Sequence, residues 1–142
     1  MPLPILFAEH AAAEVIQKET LLQSYGYGLT NSKKICLPTQ KGFTIVKLDE
    51  IVYCEAKSSY TIFRFLNHKQ AIISKPLSDY EKLLLDASFL RIHKSYLINL
   101  IHVKEYLRGE GGNVIMTDGT EIEVSRRKKE QFLLKVREYF MY

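Results

Sequence analysis

Short apolar runs separated by turn-forming residues dominate the chain from about residue 35 onward. Residues 51–56 and 60–66 are rich in β-branched and aromatic side chains, which favour strands. Residues 67–70 predict a hairpin turn into a further strand, and Asp118-Gly119 is a two-residue hairpin signal. This pattern constrains the chain to a mostly β domain.

The first 36 residues follow a different pattern. Residues 5–24 have high helix propensity and apolar side chains at roughly helical spacing, and Gly26 and Gly28 end that pattern. Residues 25–34 then resemble a linker. The sequence therefore predicts an N-terminal helix and linker over residues 1–36 and a separate domain over residues 37–142.

Two more helices are predicted inside that domain. Pro76 ends a strand, and the stretch from Ser78 to Glu81 has the form of a capping box, in which each residue bonds the other's backbone amide. A short helix would follow through Leu85. Ser125 is predicted to cap a C-terminal helix that runs to about residue 139 with its apolar side formed by Phe132, Val136, Tyr139 and Phe140.

Charge and cysteine content limit the class of protein. The net charge is +4, and all of the excess lies after residue 50, where 15 basic side chains face 11 acidic ones. Cys36 and Cys54 fit no metal or redox motif, so reduced thiols in a cytoplasmic protein are expected. No apolar run approaches the length of a membrane-spanning helix, and no membrane association is expected.

Enzyme signatures are missing from the sequence. No serine lies in a Gly-x-Ser-x-Gly elbow, and the histidines are not spaced as metal ligands. The glycine-rich stretch 109–112 is not followed by the Gly-Lys-Ser/Thr of a phosphate-binding loop. We therefore expect no enzyme activity, no cofactor and no metal.

Three short segments combine cations with hydroxyl groups and contain no carboxylate: residues 56–60, 91–96 and 125–129. That mixture suits phosphate, because Lys and Arg neutralise charge while hydroxyls and amides donate hydrogen bonds. The four cations at 126–129 also oppose the dipole of the predicted helix, a conflict that a bound anion would remove. The predicted phosphate contacts are Lys57, Ser58, His93, Ser95, Ser125, Arg126, Lys128 and Lys129.

Each residue also has a plainer interpretation. Lys57 and Lys94 are ordinary surface lysines in that view, and the run at 126–129 is a solvated charge cluster. His93 is favoured as a packed histidine that orients its turn, and Tyr60 and Tyr96 as core or half-core aromatics. A buried Asn99 bonded to backbone is also expected.

Taken together, these segments resemble the LytTR DNA-binding domain of bacterial response regulators. The similarity spans about residues 37–138 and rests on IVYCEA at 51–56 with Tyr60-Thr61, FLRIHKSYLINL at 89–100, DGT at 118–120 and VSRR at 124–127. The central block matches the family pattern Phe-x-Arg-x-His-Arg-Ser-x-x-Val-Asn. Lys94 stands where that pattern has Arg, and Ile98 where it has Val.

The resemblance implies a mainly β fold of antiparallel sheets with a short inserted helix, a C-terminal helix and, here, the N-terminal helical extension. It also implies a transcriptional regulator that inserts loops into successive major grooves of double-stranded DNA. The base contacts carried over are Ser59 or Tyr60, Lys94 and Arg127. Lys94 lacks the rigid fork of arginine, so site preference at that contact is less defined.

Family members usually carry a receiver domain before this module, and residues 1–36 are too short for one. The chain is then either a free-standing member or a fragment, and the N-terminal helix either mediates dimerisation or packs on the domain. A homodimer on paired DNA sites and a separate sensor or receiver partner are expected. The alternatives are a module that binds an acidic protein partner through the same turns, and an enzyme acting on nucleic acid or a phosphorylated ligand.

Overall fold

The computed structural model describes residues 33–109 and 111–141. The predicted helix over residues 5–24 lies outside the described residues, as does nearly all of the predicted linker. Backbone contacts divide the chain into one unit that ends at Leu48 and a second that begins at Asp49. The predicted division at residues 36 and 37 stays a prediction.

The described part of the first unit is an antiparallel hairpin of β1 (Lys34–Thr39) and β2 (Gly42–Lys47). Its register pairs Lys34 with Lys47, and the Leu48 amide donates to the Lys33 carbonyl at 2.9 Å. A 3-10 turn, Leu48–Glu50, follows.

A five-stranded antiparallel sheet forms the centre of the second unit, with strand order β5-β4-β3-β7-β6. Because every neighbouring pair is antiparallel, β6 runs in the same direction as β3. The β3–β4 turn and the β6–β7 turn therefore lie at the same end of the sheet. The strands are β3 (Ile51–Lys57), β4 (Tyr60–Phe65), β5 (Gln70–Ile73), β6 (Phe89–His93) and β7 (Tyr96–Asn99).

The rest of the second unit is a three-stranded antiparallel sheet, two α-helices and two 3-10 turns. The sheet consists of β8 (Val103–Leu107), β9 (Asn113–Met116) and β10 (Glu121–Glu123), with β9 in the middle. The helices are α1 (Leu77–Leu83), between β5 and β6, and α2 (Lys129–Tyr139) at the C-terminal end; the 3-10 turns are Leu100–His102 and Arg126–Lys128.

Buried side chains from both sheets and from α2 form one apolar cluster. Its members are Val52, Tyr53, Leu90, Ile92, Ile98, Leu100, Val114, Met116, Ile122, Val124 and Phe132. On the other face of the five-stranded sheet, Cys54 pairs with Phe63 and Leu97, and the Phe63 ring meets Tyr80 of α1 edge to face at 4.8 Å. The five-stranded sheet is thus covered on both faces, which explains why β3 has no simple alternation of apolar and polar residues.

The predicted role of Asn99 is confirmed. Its side chain is fully buried, and its amide nitrogen donates to the Ile51 carbonyl at 2.9 Å. That bond joins the end of β7 to the start of β3, and the Asn99 carbonyl oxygen accepts from the Ser88 hydroxyl.

The predicted capping box at Ser78 is wrong. Helix α1 begins two residues earlier than a Ser78 cap requires, at Leu77, with Pro76 as its N-cap and no side-chain capping bond, and it ends at Leu83 rather than Leu85. The Glu81 carboxylate instead pairs with Arg91 of β6 at 2.7 Å. The Glu81 carboxylate therefore forms a tertiary ion pair and not the local capping bond.

The hairpin predicted at Asp118-Gly119 forms between β9 and β10, but its loop contains three residues rather than two. The Gly119 amide donates to the Met116 carbonyl at 2.8 Å, and the Met116 amide donates to the Thr120 carbonyl at 2.9 Å. Gly119 has a φ of +92°, as expected for the glycine that closes a three-residue hairpin loop.

None of the helices in the described ranges is long and apolar enough to cross a lipid bilayer.

Replacing Gly112 with alanine is expected to destabilise the second unit more than Gly119→Ala does. Both residues have positive φ, but only at Gly112 would an added Cβ atom clash with the Tyr106 hydroxyl. Positive φ alone costs about 1–2 kcal/mol, and the clash adds to that cost. Urea unfolding monitored by circular dichroism compares the two variants, and equal losses of unfolding free energy would contradict the predicted clash.

Candidate nucleic-acid interface

The first basic turn closes the hairpin between β3 and β4. Lys57 pairs with Tyr60 across it, and Ser58 takes a φ of +66°. All four residues from 57 to 60 are exposed. Tyr60 is 46% exposed, so the interpretation of this ring as a core or half-core aromatic was wrong. Tyr60 is the first residue of β4, directly after the turn.

The second basic turn connects β6 and β7. His93 Nδ1 accepts a hydrogen bond from the Ser95 amide at 3.0 Å, and its ring lies 5.6 Å from that of Tyr96. Because Nδ1 is an acceptor, the neutral ring carries its proton on Nε2. The structure thus gives His93 the orienting contact expected from the sequence. Lys94, at the tip, is exposed.

Arg91 holds the second turn in shape, a role that sequence reasoning missed. Its Nε donates to the His93 carbonyl at 3.0 Å, its Nη2 donates to the Lys94 carbonyl, and its Nη1 pairs with Glu81 Oε1 at 2.7 Å. One guanidinium therefore ties the turn to itself and to α1. The sequence signal that could have revealed this role is the spacing: Arg91 comes two residues before His93 and three before Lys94, whose carbonyls it binds.

The α-helix in the third basic segment begins later than predicted. Residues Arg126–Lys128 form a 3-10 turn, and α2 begins only at Lys129. The Ser125 carbonyl accepts from the amides of Lys128 and Lys129, but the Ser125 side chain makes no capping bond. The predicted conflict of four cations with the helix dipole is therefore wrong as stated, because three of them precede the α-helix and Glu130 lies in its first turn.

The apolar side of α2 is also narrower than expected. Phe132 is fully buried and Val136 packs against the core, whereas Tyr139 is 44% exposed and Phe140, just after the helix, is 37% exposed.

Two backbone hydrogen bonds bring the three basic segments together. The Ala56 amide donates to the Ser95 carbonyl at 2.8 Å, which joins the first turn to the second. The Ser125 amide donates to the Ile92 carbonyl at 2.8 Å, which joins the third segment to the second. An open cleft is lined by Arg91, His93, Lys94, Ser125, Arg126, Arg127, Lys128 and Glu81.

Within this cluster, the exposed cations are Lys57, Lys94, Arg126 and Arg127, whereas Lys128 and Lys129 are half-buried. The hydroxyl groups of Ser58 and Ser59 are also on exposed residues. The arrangement offers several charge-assisted donors along one end of the five-stranded sheet, which suits a polyanion better than a single small anion.

A family model for the LytTr DNA-binding domain matches residues 41–136. The chain belongs to the LytTR family.

Relatives with this domain are longer than the chain. The transcriptional regulatory protein LytR of Staphylococcus aureus (strain MW2) is 34% identical over 90 residues, which cover 62% of this chain and 36% of LytR. The sensory transduction protein LytT of Bacillus subtilis is 30% identical over 95 residues, which cover 66% and 39% of the two chains. The match therefore spans little more than a third of each relative.

A solved LytTr DNA-binding domain from Bacillus cereus has the same fold. It superposes with a TM-score of 0.63 at 25% sequence identity and covers 72% of this chain and 95% of that domain. The predicted mainly β LytTR fold with antiparallel sheets and a C-terminal helix is confirmed.

Of the carboxylates near the basic segments of this LytTR domain, two are paired with an arginine, whereas Glu130, next to Lys129, is exposed. Glu81 meets Arg91 at 2.7 Å, and Glu55 meets Arg64 at 3.2 Å. The Tyr96 hydroxyl also donates to Glu55 at 3.5 Å. Burial, and secondly the Glu55 carboxylate, raise the pKa of Tyr96, so its phenol stays protonated as a donor. These pairs limit the repulsion that the two paired carboxylates would exert on a bound polyanion.

The described residues contain no group of three or more His, Cys, Asp or Glu side chains placed to hold a metal ion. Burial raises the pKa of the Cys54 thiol well above its ordinary value, so this thiol stays protonated at neutral pH.

Replacing Arg91 with alanine is expected to make the second basic turn more mobile in the DNA-free protein. The variant loses the donors to two carbonyls, each worth about 0.5–1.5 kcal/mol, so the Ser95 amide should exchange with solvent about tenfold faster or more. Hydrogen exchange followed by NMR measures this rate. Arg64→Ala is the matched control, because it removes the other arginine–carboxylate pair and leaves the turn bonds intact. Unchanged exchange at Ser95 in Arg91→Ala would contradict the assigned role.

Proposed function

We propose that this LytTR domain is the DNA-binding part of a sequence-specific transcriptional regulator. It contacts double-stranded DNA with the three basic segments at one end of its sheet, which enter successive major grooves of paired short sites. The observation that carries the proposal is the pair of backbone bonds, Ala56 to Ser95 and Ser125 to Ile92, that hold the three segments side by side.

The residues divide into two roles in this proposal. Ser59, Tyr60, Lys94 and Arg127 contact bases, because they stand at the exposed tips of the three segments. Arg127 is suited to guanine, since a guanidinium can donate two parallel hydrogen bonds to its major-groove edge. The phosphate contacts come from Lys57, Ser58, His93, Ser95, Ser125, Arg126, Lys128 and Lys129. Half-burial of Lys128 and Lys129 suits them to backbone contacts rather than to deep insertion.

Since LytR is described as a transcriptional regulatory protein and LytT as a sensory transduction protein, we place this chain in a regulator of the same class. Such a regulator acts in the cytoplasm, within a two-component system, and receives its signal from a sensor or receiver partner. Pairing of two copies on adjacent sites is part of the proposal, and the DNA interaction itself is not an enzymatic reaction.

Arg127→Ala is expected to weaken binding to a selected duplex by about 1–3 kcal/mol and to relax base preference at one position. The reason is the loss of a two-bond base contact. Fluorescence anisotropy with the selected duplex and with single-base variants of it measures both effects. Lys104→Ala, which removes an exposed cation on β8, is the control and should leave affinity unchanged.

Binding of the unaltered protein should also weaken steeply as salt rises, because each phosphate contact releases counterions. Simultaneous alanine substitution of Lys57, Lys94 and Arg127 should abolish specific binding. Full affinity in that triple variant would overturn the assignment of the site. Capture of an acidic protein that persists after nuclease treatment, without DNA binding, would favour the protein-interaction alternative.

A further inference from the structure

A further cation, outside the three basic segments, lies at the DNA-facing end of the five-stranded sheet. Strand β5 is two antiparallel steps from β3, so the two strands run in the same direction. The register pairs Thr61 with Ile73, next to the first basic turn. Lys75 follows β5 and therefore emerges at the same end as the three basic segments.

The backbone at Lys75 is fixed in place. The Thr61 hydroxyl donates to the Lys75 carbonyl at 2.7 Å, and the Lys75 amide donates to the Ile73 carbonyl at 2.8 Å. Thr61 is fully buried, and a buried hydroxyl is costly unless it forms a hydrogen bond. The connection after β5 is therefore held to β4, the strand that leaves the first turn.

The side chain of Lys75 is available to a ligand. Lys75 is exposed, and none of the ion pairs found in residues 33–109 and 111–141 involves it. Asp79, an exposed carboxylate in the first turn of α1, lies four residues after Lys75, and none of those ion pairs joins the two. The exposed Ser74 precedes Lys75, so this connection repeats the combination of lysine and hydroxyl found in the other segments.

The position of Lys75 extends the row of cations outward. Adjacent strands lie about 4.8 Å apart, which places β5 about 10 Å from β3 and about 19 Å from β6. At about 3.4 Å per base pair, that width corresponds to roughly six base pairs. We infer that Lys75 binds a DNA backbone phosphate at the outer edge of each half-site, beyond the first turn. This inference rests on the proposed function.

A phosphate contact and a base contact have different signatures. Loss of one phosphate contact reduces the slope of log affinity against log salt by about 0.9, which is about a five- to tenfold weakening at about 100 mM salt. The weakening is the same for every sequence, because phosphates carry no base identity. Lys75→Ala should therefore weaken binding to the selected duplex and to a non-specific duplex by the same factor.

Lys69→Ala is the matched control. Lys69 is an exposed lysine just before β5, in the β4–β5 turn at the opposite end of the sheet, so its removal changes charge equally and should leave affinity unchanged. Lys75→Gln is a second variant, which removes the charge but keeps most of the side-chain length and a polar end. Within the described part of the chain, Lys75 forms hydrogen bonds only through its backbone atoms, so both variants should fold, as circular dichroism would verify.

The decisive test combines Lys75→Ala with single neutral methylphosphonate linkages placed along the duplex. At one outer linkage, neutralisation should weaken the unaltered protein and Lys69→Ala about five- to tenfold and leave Lys75→Ala unaffected. If Lys75→Ala binds as tightly as Lys69→Ala while Arg127→Ala loses affinity, the inference is overturned and the proposed function stands. A changed base preference in Lys75→Ala also overturns it. If the unaltered protein binds no duplex, both are overturned.

Discussion

The antiparallel pairing of β3 with β7 joins two separate hairpins into one sheet, and the position of the whole interface depends on it. Tyr53 faces Ile98 and Glu55 faces Tyr96 across this pair. A one-residue slip would exchange the two buried faces of the sheet, so the register is strongly specified. With the register fixed, both hairpin turns meet at one end, and the Ala56 amide reaches the Ser95 carbonyl.

The third segment depends on packing rather than on sheet pairing. Phe132 of α2 is fully buried in the cluster that both sheets share, and its ring lies 5.5 Å from that of Tyr106. Burial of a phenylalanine of this kind typically contributes about 3–5 kcal/mol against alanine. It anchors α2, and the Ser125–Ile92 bond then sets the cations of the 3-10 turn beside the second hairpin. The packing that stabilises α2 therefore also positions the third basic segment.

Much of this arrangement followed from the sequence. The β-branched and aromatic runs predicted the strands because side-chain shape favours a pleated sheet locally, and the mixture of lysine and serine marked the three segments. The errors have two physical causes. The Glu81 carboxylate pairs with Arg91 instead of forming the predicted capping box. The helix after Ser125 begins later than predicted because a 3-10 turn satisfies the Ser125 carbonyl first. Such choices depend on partners distant in sequence or on competing local bonds. The place of Lys75 required the strand order, which the local pattern does not contain.

The central claim is that one end of the sheet forms the DNA interface. Amide chemical-shift changes during titration of the protein with a selected duplex test it most directly. The account predicts the largest changes at Ser59, Lys94 and Arg127. It predicts little change at His68, in the β4–β5 turn at the other end of the five-stranded sheet, and at Asp118, in the β9–β10 loop of the three-stranded sheet. Changes centred on His68 and Asp118, with the three basic segments unaffected, would contradict it.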